Sequence, residues 1–86
     1  MKIADAMNTY NFALEIIINA GFSIKINDNN DNSFVWEAKR GKDTYIASDP
    51  LRLLGLVCIG KEYGEKWNEQ ITPNHYDLIL DHHYKY

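Results

Sequence analysis

The chain has 86 residues, of which 45% are apolar, and a net charge of −3. This length predicts a single domain, residues 1–86, with one hydrophobic core, and the mild acidity argues against a basic nucleic-acid-binding protein. The single cysteine cannot form an internal disulfide, and no stretch reaches the roughly 18 uninterrupted apolar residues of a membrane span. We therefore expect a cytoplasmic protein with no membrane segment.

Residues 1–20 contain an apolar stripe that repeats every three or four residues and predicts a first helix. Its members are Met7, Tyr10, Leu14, Ile17 and Ile18. Further apolar residues widen the stripe, so we expect this helix to be well buried; they are Phe12, Ala13 and Ile16. Asp5, Asn8 and Thr9 are each suitable N-caps, and Gly21 predicts the end of the helix.

The apolar pattern then changes to a period of two, which predicts strands over residues 22–27, 34–39 and 43–48. The side chains expected on the helix-facing side of the sheet are Phe22, Ile24, Ile26, Phe34, Trp36 and Tyr45. The opposite face would carry Ser23, Lys25, Val35, Glu37, Lys39, Thr44 and Ile46. Because that second face is partly apolar, we expect the C-terminal tail or a partner to cover it.

Two turns join these strands, a polar run over residues 27–33 and the tripeptide at residues 40–42. In the first turn, Asp28, Asn30 and Asn32 have the alternate spacing of a calcium-binding loop. However, Ser33 replaces the glycine of the sharp bend, and Lys39 replaces the bidentate glutamate. A plain solvated turn is therefore the preferred interpretation.

Residues 48–67 form the longest apolar run with both a start signal and a stop signal, and they predict the central helix. Asp49 is the expected N-cap, Pro50 the first helical residue and Gly64 the stop. The core-facing residues are expected to be Leu53, Leu54, Val57 and Cys58. The thiol of Cys58 would then be buried, and Trp67 would cover the edge of the core.

Two glycines inside this helix, Gly55 and Gly60, would each cost about 1 kcal/mol relative to alanine. The preferred interpretation is that they let a neighbouring backbone approach closely. The alternative is that a partner or ligand lies against a bare strip of the helix.

The tail supports two interpretations. Thr72 and Pro73 repeat the cap-then-proline signature and favour a short helix over residues 73–83. Alternation of apolar and polar residues between Tyr76 and Tyr86 also fits a strand, which would extend the sheet or pair with another copy.

The predicted fold is α+β, with the order α-β-β-β-α, a three-stranded antiparallel meander, two helices packed on one face, and a C-terminal tail. This order resembles that of double-stranded-RNA-binding domains, which would imply recognition of a duplex through phosphate and 2′-OH contacts. That family has a lysine cluster at the start of its last helix. The matching positions here are Asp49, Pro50, Leu51, Arg52 and Leu53, with one basic residue and one acid. A nucleic-acid-binding αβββα domain is therefore the alternative function.

Catalytic and metal-binding patterns are weak. All three histidines, His75, His82 and His83, lie in the tail, but none of their spacings is the i, i+4 pair of a helical zinc site. No serine has a glycine-rich elbow around it, and no phosphate-cradling loop is present. We expect no catalytic residues, no metal and no cofactor, and hence no enzymatic activity.

The C-terminal third combines aromatic and acidic residues, which suit a basic groove on a protein partner, such as one in a nucleic-acid-handling complex. The expected partner-binding residues are Glu65, Trp67, Glu69, Tyr76, Asp77, Asp81 and Tyr84. The chain is also rich in residues with A/T-rich codons, which indicates a low-GC prokaryote or its phages and mobile elements.

These observations predict a small non-catalytic protein-binding module. Its concrete forms are an anti-CRISPR-like inhibitor of a host defence complex, encoded by a phage or mobile element, or an immunity protein that neutralises a toxin. Direct binding of nucleic acid is disfavoured. A homodimer, formed through the tail or the partly apolar sheet face, is a further alternative.

Overall fold

The computed structural model describes residues 1–28 and 33–85. Its helices are α1 (Thr9–Asn19), α2 (Pro50–Tyr63) and α3 (His75–Tyr84), with a short 3₁₀ helix at Trp67–Glu69. Its strands are β1 (Ser23–Asp28), β2 (Phe34–Arg40) and β3 (Asp43–Ala47), which form one antiparallel sheet in the order β1-β2-β3. The predicted α+β class and the α-β-β-β-α order are confirmed. The calcium-loop alternative depends on Asn30 and Asn32, which lie outside the described residues.

Helix α1 is shorter than predicted and begins at Thr9. Before it, the Thr9 hydroxyl accepts a hydrogen bond from the Ala6 N–H (2.8 Å), so residues 6–9 form a turn of their own. Gly21, the predicted stop, directly follows the C-cap Ala20 and has a φ of +95°. There the N–H groups of Gly21 and Phe22 donate to the carbonyls of Ile18 and Ile17. This is the Schellman arrangement, and it brings Phe22 back towards the core side of α1.

The start of α2 matches its sequence signals. The Asp49 carboxylate accepts a hydrogen bond from the Arg52 N–H (2.9 Å), and Pro50 is the first helical residue. The helix stops at Gly64, which has a φ of +77°, and this stop is also as predicted. Because α2 ends at Tyr63, Trp67 belongs to the separate 3₁₀ helix and is 49% exposed. The prediction that Trp67 covers the core edge is therefore wrong.

The sheet register confirms which side chains share the helix-facing side. Across the three strands, one row consists of Ile24, Ala38 and Tyr45. The neighbouring row consists of Ile26, Trp36 and Ala47. The core consists of Ile17, Phe22, Ala38, Leu53 and Val57, with Ile24, Trp36, Tyr45, Ala47 and Leu54 packed against it. Helix α2 lies on β2 and β3, and α1 packs mainly against α2.

Several apolar side chains expected in the core are exposed. Ile26 and Phe34 are each half exposed, and they lie towards the end of the sheet at which β3 stops, with Trp36 opposite Ala47 as its last pair with β2. Helix α1 buries only Ala13 and Ile17, so the expectation of a well-buried helix is wrong. A helix that packs mainly against one neighbour buries one stripe, and the outer apolar residues stay in solvent.

Cys58 is exposed, contrary to the prediction of a buried thiol. Helix α2 buries Pro50, Leu53 and Val57, and successive residues of a helix point about 100° apart. Cys58 therefore points away from the stripe that contains Leu53 and Val57.

The tail is helical, as preferred, and the strand alternative is wrong for the described residues. Helix α3 starts at His75, two residues later than predicted, with Asn74 and not Thr72 at its N-cap. The Asn74 side-chain amide donates to the Asp77 carboxylate (2.8 Å) across the first turn. Across the described ranges, no helix combines the length and apolar character needed to cross a bilayer.

Candidate functional site

The C-terminal part of the chain is exposed along its whole described length. Every residue from 61 to 85 is exposed, and α3 has no buried residue. We call residues 65–85 the C-terminal arm. Because the arm is exposed throughout, it does not cover the partly apolar sheet face, on which Ile46 remains 54% exposed. A partner on that face stays a prediction.

Helix α3 arranges its predicted site residues on one side. At about 100° per residue, Tyr76, Leu80 and Tyr84 form one row, and Asp77 and Asp81 form the adjacent row. We call these five residues the acid–aromatic face. Tyr76 and Tyr84 are each about three-quarters exposed, and the Tyr84 ring makes an edge contact with His83 (4.8 Å between centroids). Four of the seven predicted partner-binding residues thus share this face.

The other three predicted residues lie on a different element. Glu65 is in the turn that follows α2, while Trp67 and Glu69 belong to the 3₁₀ helix. Local backbone hydrogen bonds hold this segment, from the Trp67 N–H to the Gly64 carbonyl (3.2 Å) and from the Glu69 N–H to the Lys66 carbonyl (3.0 Å). The structure therefore places them beside the end of α2 and not on the acid–aromatic face.

The arm carries uncompensated negative charge. It contains four acids, Glu65, Glu69, Asp77 and Asp81, against two lysines, Lys66 and Lys85, and a fifth acid, Glu62, lies just before it. Within the described residues, the ion pairs are Lys25–Glu37 and Arg52–Asp49, and neither involves an arm carboxylate. The arm carboxylates are thus available to a cationic partner.

The two interior glycines of α2 differ in their surroundings. A Cβ on Gly60 would meet the ring of Tyr45, with the Cε1 and Cζ atoms at 2.7 Å. A close approach was predicted there, but the approaching group is a side chain of β3 and not a backbone. A Cβ on Gly55 would meet nothing within 4 Å. The close-approach interpretation is therefore wrong for Gly55, and the alternative of a partner against that bare strip stays a prediction.

A cleft of about 320 Å³, which was not predicted from the sequence, lies between the end of α1, the β2–β3 hairpin and the end of α2. We call it the basic cleft; its lining includes Phe22, Arg40, Asp43, Tyr45, Gly60 and Lys61. The Arg40 guanidinium lies 4.4 Å from the centre of the Phe22 ring and donates to the Ala20 carbonyl (2.7 Å). The run of basic residues at 39–42 was the available sequence signal, but it could not place Lys61 beside it.

Potential metal ligands do not converge in the part of the chain that the structure describes. No group of three or more His, Cys, Asp or Glu side chains there could hold a metal ion. His82 and His83 are neighbours on α3 and point in different directions, and His83 packs against Tyr84.

These elements define the class of the protein as a small α+β domain with an exposed, acidic helical arm. No protein-family model, curated protein sequence or solved structure matches the chain. The resemblance to double-stranded-RNA-binding domains therefore rests on the order of the elements alone.

Proposed function

We propose that the chain is a small, non-catalytic, cytoplasmic protein-binding module whose C-terminal arm makes the contact. The observation that supports this proposal is the acid–aromatic face, which presents tyrosine and aspartate rows on a helix with no buried residue. Tyrosine is enriched at protein interfaces, and an amphipathic helix commonly binds by laying its apolar row into a groove of the partner.

The length of α3 adds a thermodynamic argument. Isolated helices shorter than about 12–15 residues are marginal in water, and most helices gain their stability from tertiary packing. Helix α3 has ten residues and buries none of them against the rest of the described chain. A partner groove would supply the missing apolar contact for Tyr76, Leu80 and Tyr84.

The charge of the arm indicates the chemistry of the partner. Four acids against two lysines over residues 65–85 complement a basic groove. The contact is also asymmetric, since Asp77 and Asp81 flank the tyrosine row on one side only. The partner groove is therefore expected to be apolar along its floor and to carry its lysines or arginines on one rim.

The concrete forms of this proposal are an anti-CRISPR-like inhibitor of a nucleic-acid-handling defence complex, encoded by a phage or mobile element, and an immunity protein that neutralises a toxin. Small size, acidic balance and a composition rich in residues with A/T-rich codons support these forms. In both, the acidic arm would occupy a basic surface of the target and block it sterically and electrostatically.

The test is capture of partners on the tagged chain from a lysate of the organism that encodes it, with half of the lysate treated with nuclease. Tyr76→Ala and Asp77→Lys change the acid–aromatic face. Leu78→Ala, on the other side of α3, and Asp5→Lys, outside the arm, are the matched controls. We expect a stoichiometric protein partner that survives nuclease, binds both controls and is lost from both face variants.

Two outcomes would contradict the proposal. If only nucleic acid, or only proteins lost on nuclease treatment, are recovered, the αβββα nucleic-acid-binding alternative gains support. If a protein partner binds the face variants as well as it binds the wild type, the arm is not the contact.

A further inference from the structure

The basic cleft is a concave surface lined by aromatic and charged side chains. The Phe22 and Tyr45 rings meet edge to face with centroids 5.7 Å apart, and the Arg40 guanidinium lies over Phe22. The room for the Tyr45 hydroxyl exists because Gly60 has no side chain. Two cations and the carboxylate of Asp43 line the cleft, so its net formal charge is +1, from two positive charges and one negative.

The acid–aromatic face has the complementary chemistry. A volume of about 320 Å³ corresponds to roughly ten water molecules in the liquid, which is room for one tyrosine ring and not for a whole helix. A tyrosine there would add an edge or stacked contact to the Phe22–Tyr45 pair and a cation–π contact to Arg40. Tyr76 is followed directly by Asp77, so a carboxylate would lie beside the seated ring and within reach of Lys61.

We infer that α3 of one copy docks in the basic cleft of a second copy, with Tyr76 in the cleft and Asp77 against the partner copy's Lys61, and that the exchange is reciprocal. A two-fold dimer satisfies both contacts at once, because the same pair of surfaces meets twice. In the structure the chain's own α3 has no buried residue and the cleft is open, so both surfaces are accessible to a second copy.

This inference rests on the proposed function, because the same arm makes the contact. Exchange would occupy the arm until a foreign basic groove displaces it. We expect the dimer to be weak, because each contact is small and partly electrostatic. Interfaces below about 1,200 Å² are typical of transient complexes. A weak dimer is what allows the arm to be released to a partner.

The test is sedimentation equilibrium of the purified chain over a range of concentrations and salt. Raising the salt from about 0.1 M to about 1 M shortens the Debye length from about 10 Å to about 3 Å, so we expect a concentration-dependent dimer that weakens with salt. Lys61→Glu and Asp77→Lys should each weaken the dimer about tenfold, because each turns two exposed attractions into repulsions. Both positions are exposed, so neither substitution disturbs the core.

The decisive measurement is the mixture of the two variants. In a reciprocal exchange, position 77 of each copy meets position 61 of the other. In the mixed dimer, Asp77 of the Lys61→Glu copy therefore meets the unchanged Lys61 of the other copy. The lysine introduced by Asp77→Lys meets the glutamate introduced by Lys61→Glu. Both contacts are attractive, so the mixture should dimerise as strongly as the wild type. The control mixture of Lys2→Glu with Glu15→Lys, which alters charge outside both surfaces, should match the wild type both when mixed and when separate.

Three results would overturn the inference. They are a monomer under all conditions, a dimer insensitive to both variants, and variants whose dimerisation is lost but not restored by mixing. The third result would mean that Lys61 and Asp77 do not meet. None of the three bears on the partner-capture experiment, in which the foreign partner and not a second copy is measured, so the two proposals fail separately.

Discussion

Replacing Gly60 with alanine tests whether the Tyr45 ring sets how closely α2 can lie on the sheet. Alanine in a helix interior is normally favoured over glycine by about 1 kcal/mol. At position 60, however, the new Cβ would lie 2.7 Å from the Cε1 and Cζ atoms of Tyr45, whereas carbon atoms prefer a separation of about 3.5–4.0 Å. Overpacking of this kind costs about 1–3 kcal/mol, so the net effect is a loss of up to about 2 kcal/mol.

Gly55 in the same helix is the matched control. A Cβ there meets nothing within 4 Å, so Gly55→Ala should gain the full helix preference of about 1 kcal/mol. Urea unfolding followed by circular dichroism measures both free energies of unfolding. The difference between the two alanine variants is therefore expected to be about 1–3 kcal/mol, which is the cost of overpacking alone.

The reasoning would be refuted if both alanines stabilised the domain equally. A double-mutant cycle adds a second check, because Tyr45→Ala removes the ring that the new methyl group meets. In the Tyr45→Ala background, Gly60→Ala should become stabilising, and the coupling energy between positions 45 and 60 should be at least about 1 kcal/mol. Additivity of the two substitutions would show that the methyl group at position 60 does not contact the ring.

Four further predictions follow from burial and capping. Leu53→Ala should lower the free energy of unfolding by about 2–5 kcal/mol, because Leu53 is completely buried; a loss below about 1 kcal/mol in urea unfolding would contradict its place in the core. Asp49→Ala should lower the free energy of unfolding by about 1 kcal/mol, because the hydrogen bond from the Arg52 N–H is lost. Asp49→Asn should retain most of this capping stabilisation. Truncation after Lys66 should leave thermal unfolding cooperative with its midpoint little changed, since the removed residues are exposed; a collapse of the transition would show that the arm packs on the domain. Cys58 should react with a thiol reagent at the rate of an unfolded control, because it is exposed, and strong protection in the native state would refute this placement.

The elements that could be predicted from sequence are those set by local chemistry. Asp49 and Pro50 define the start of α2, and the positive-φ glycines Gly21 and Gly64 end the two longer helices. The alternation of side chains in β2 and β3 predicted the helix-facing rows, since a strand's faces are fixed by a period of two. These signals act within a few residues and need no knowledge of the rest of the chain.

Burial of individual side chains could not be predicted, because it depends on which elements meet. The apolar stripe of α1 is wider than the surface its neighbours offer, and only packing decides that Ile17 is buried while Ile16 is 55% exposed. The stripe of α2 is rotated relative to the prediction, which moves Cys58 into solvent. Likewise, Lys61 joins Arg40 at the basic cleft only because α2 ends beside the β2–β3 hairpin.

The order in which the strands pair has a consequence for the rate of folding. Each strand pairs with its neighbour in the chain, and β2 and β3 are separated by the two residues Gly41 and Lys42 alone. Forming the sheet therefore requires closing short loops only, and the entropic barrier to folding rises with the sequence separation of the contacts. Hairpins form in about 1–10 μs, so β2 and β3 are able to pair before α2 docks on them. Arg40 then connects the end of that hairpin to the last turn of α1 through the Ala20 carbonyl, which joins the first helix to a sheet that is already formed.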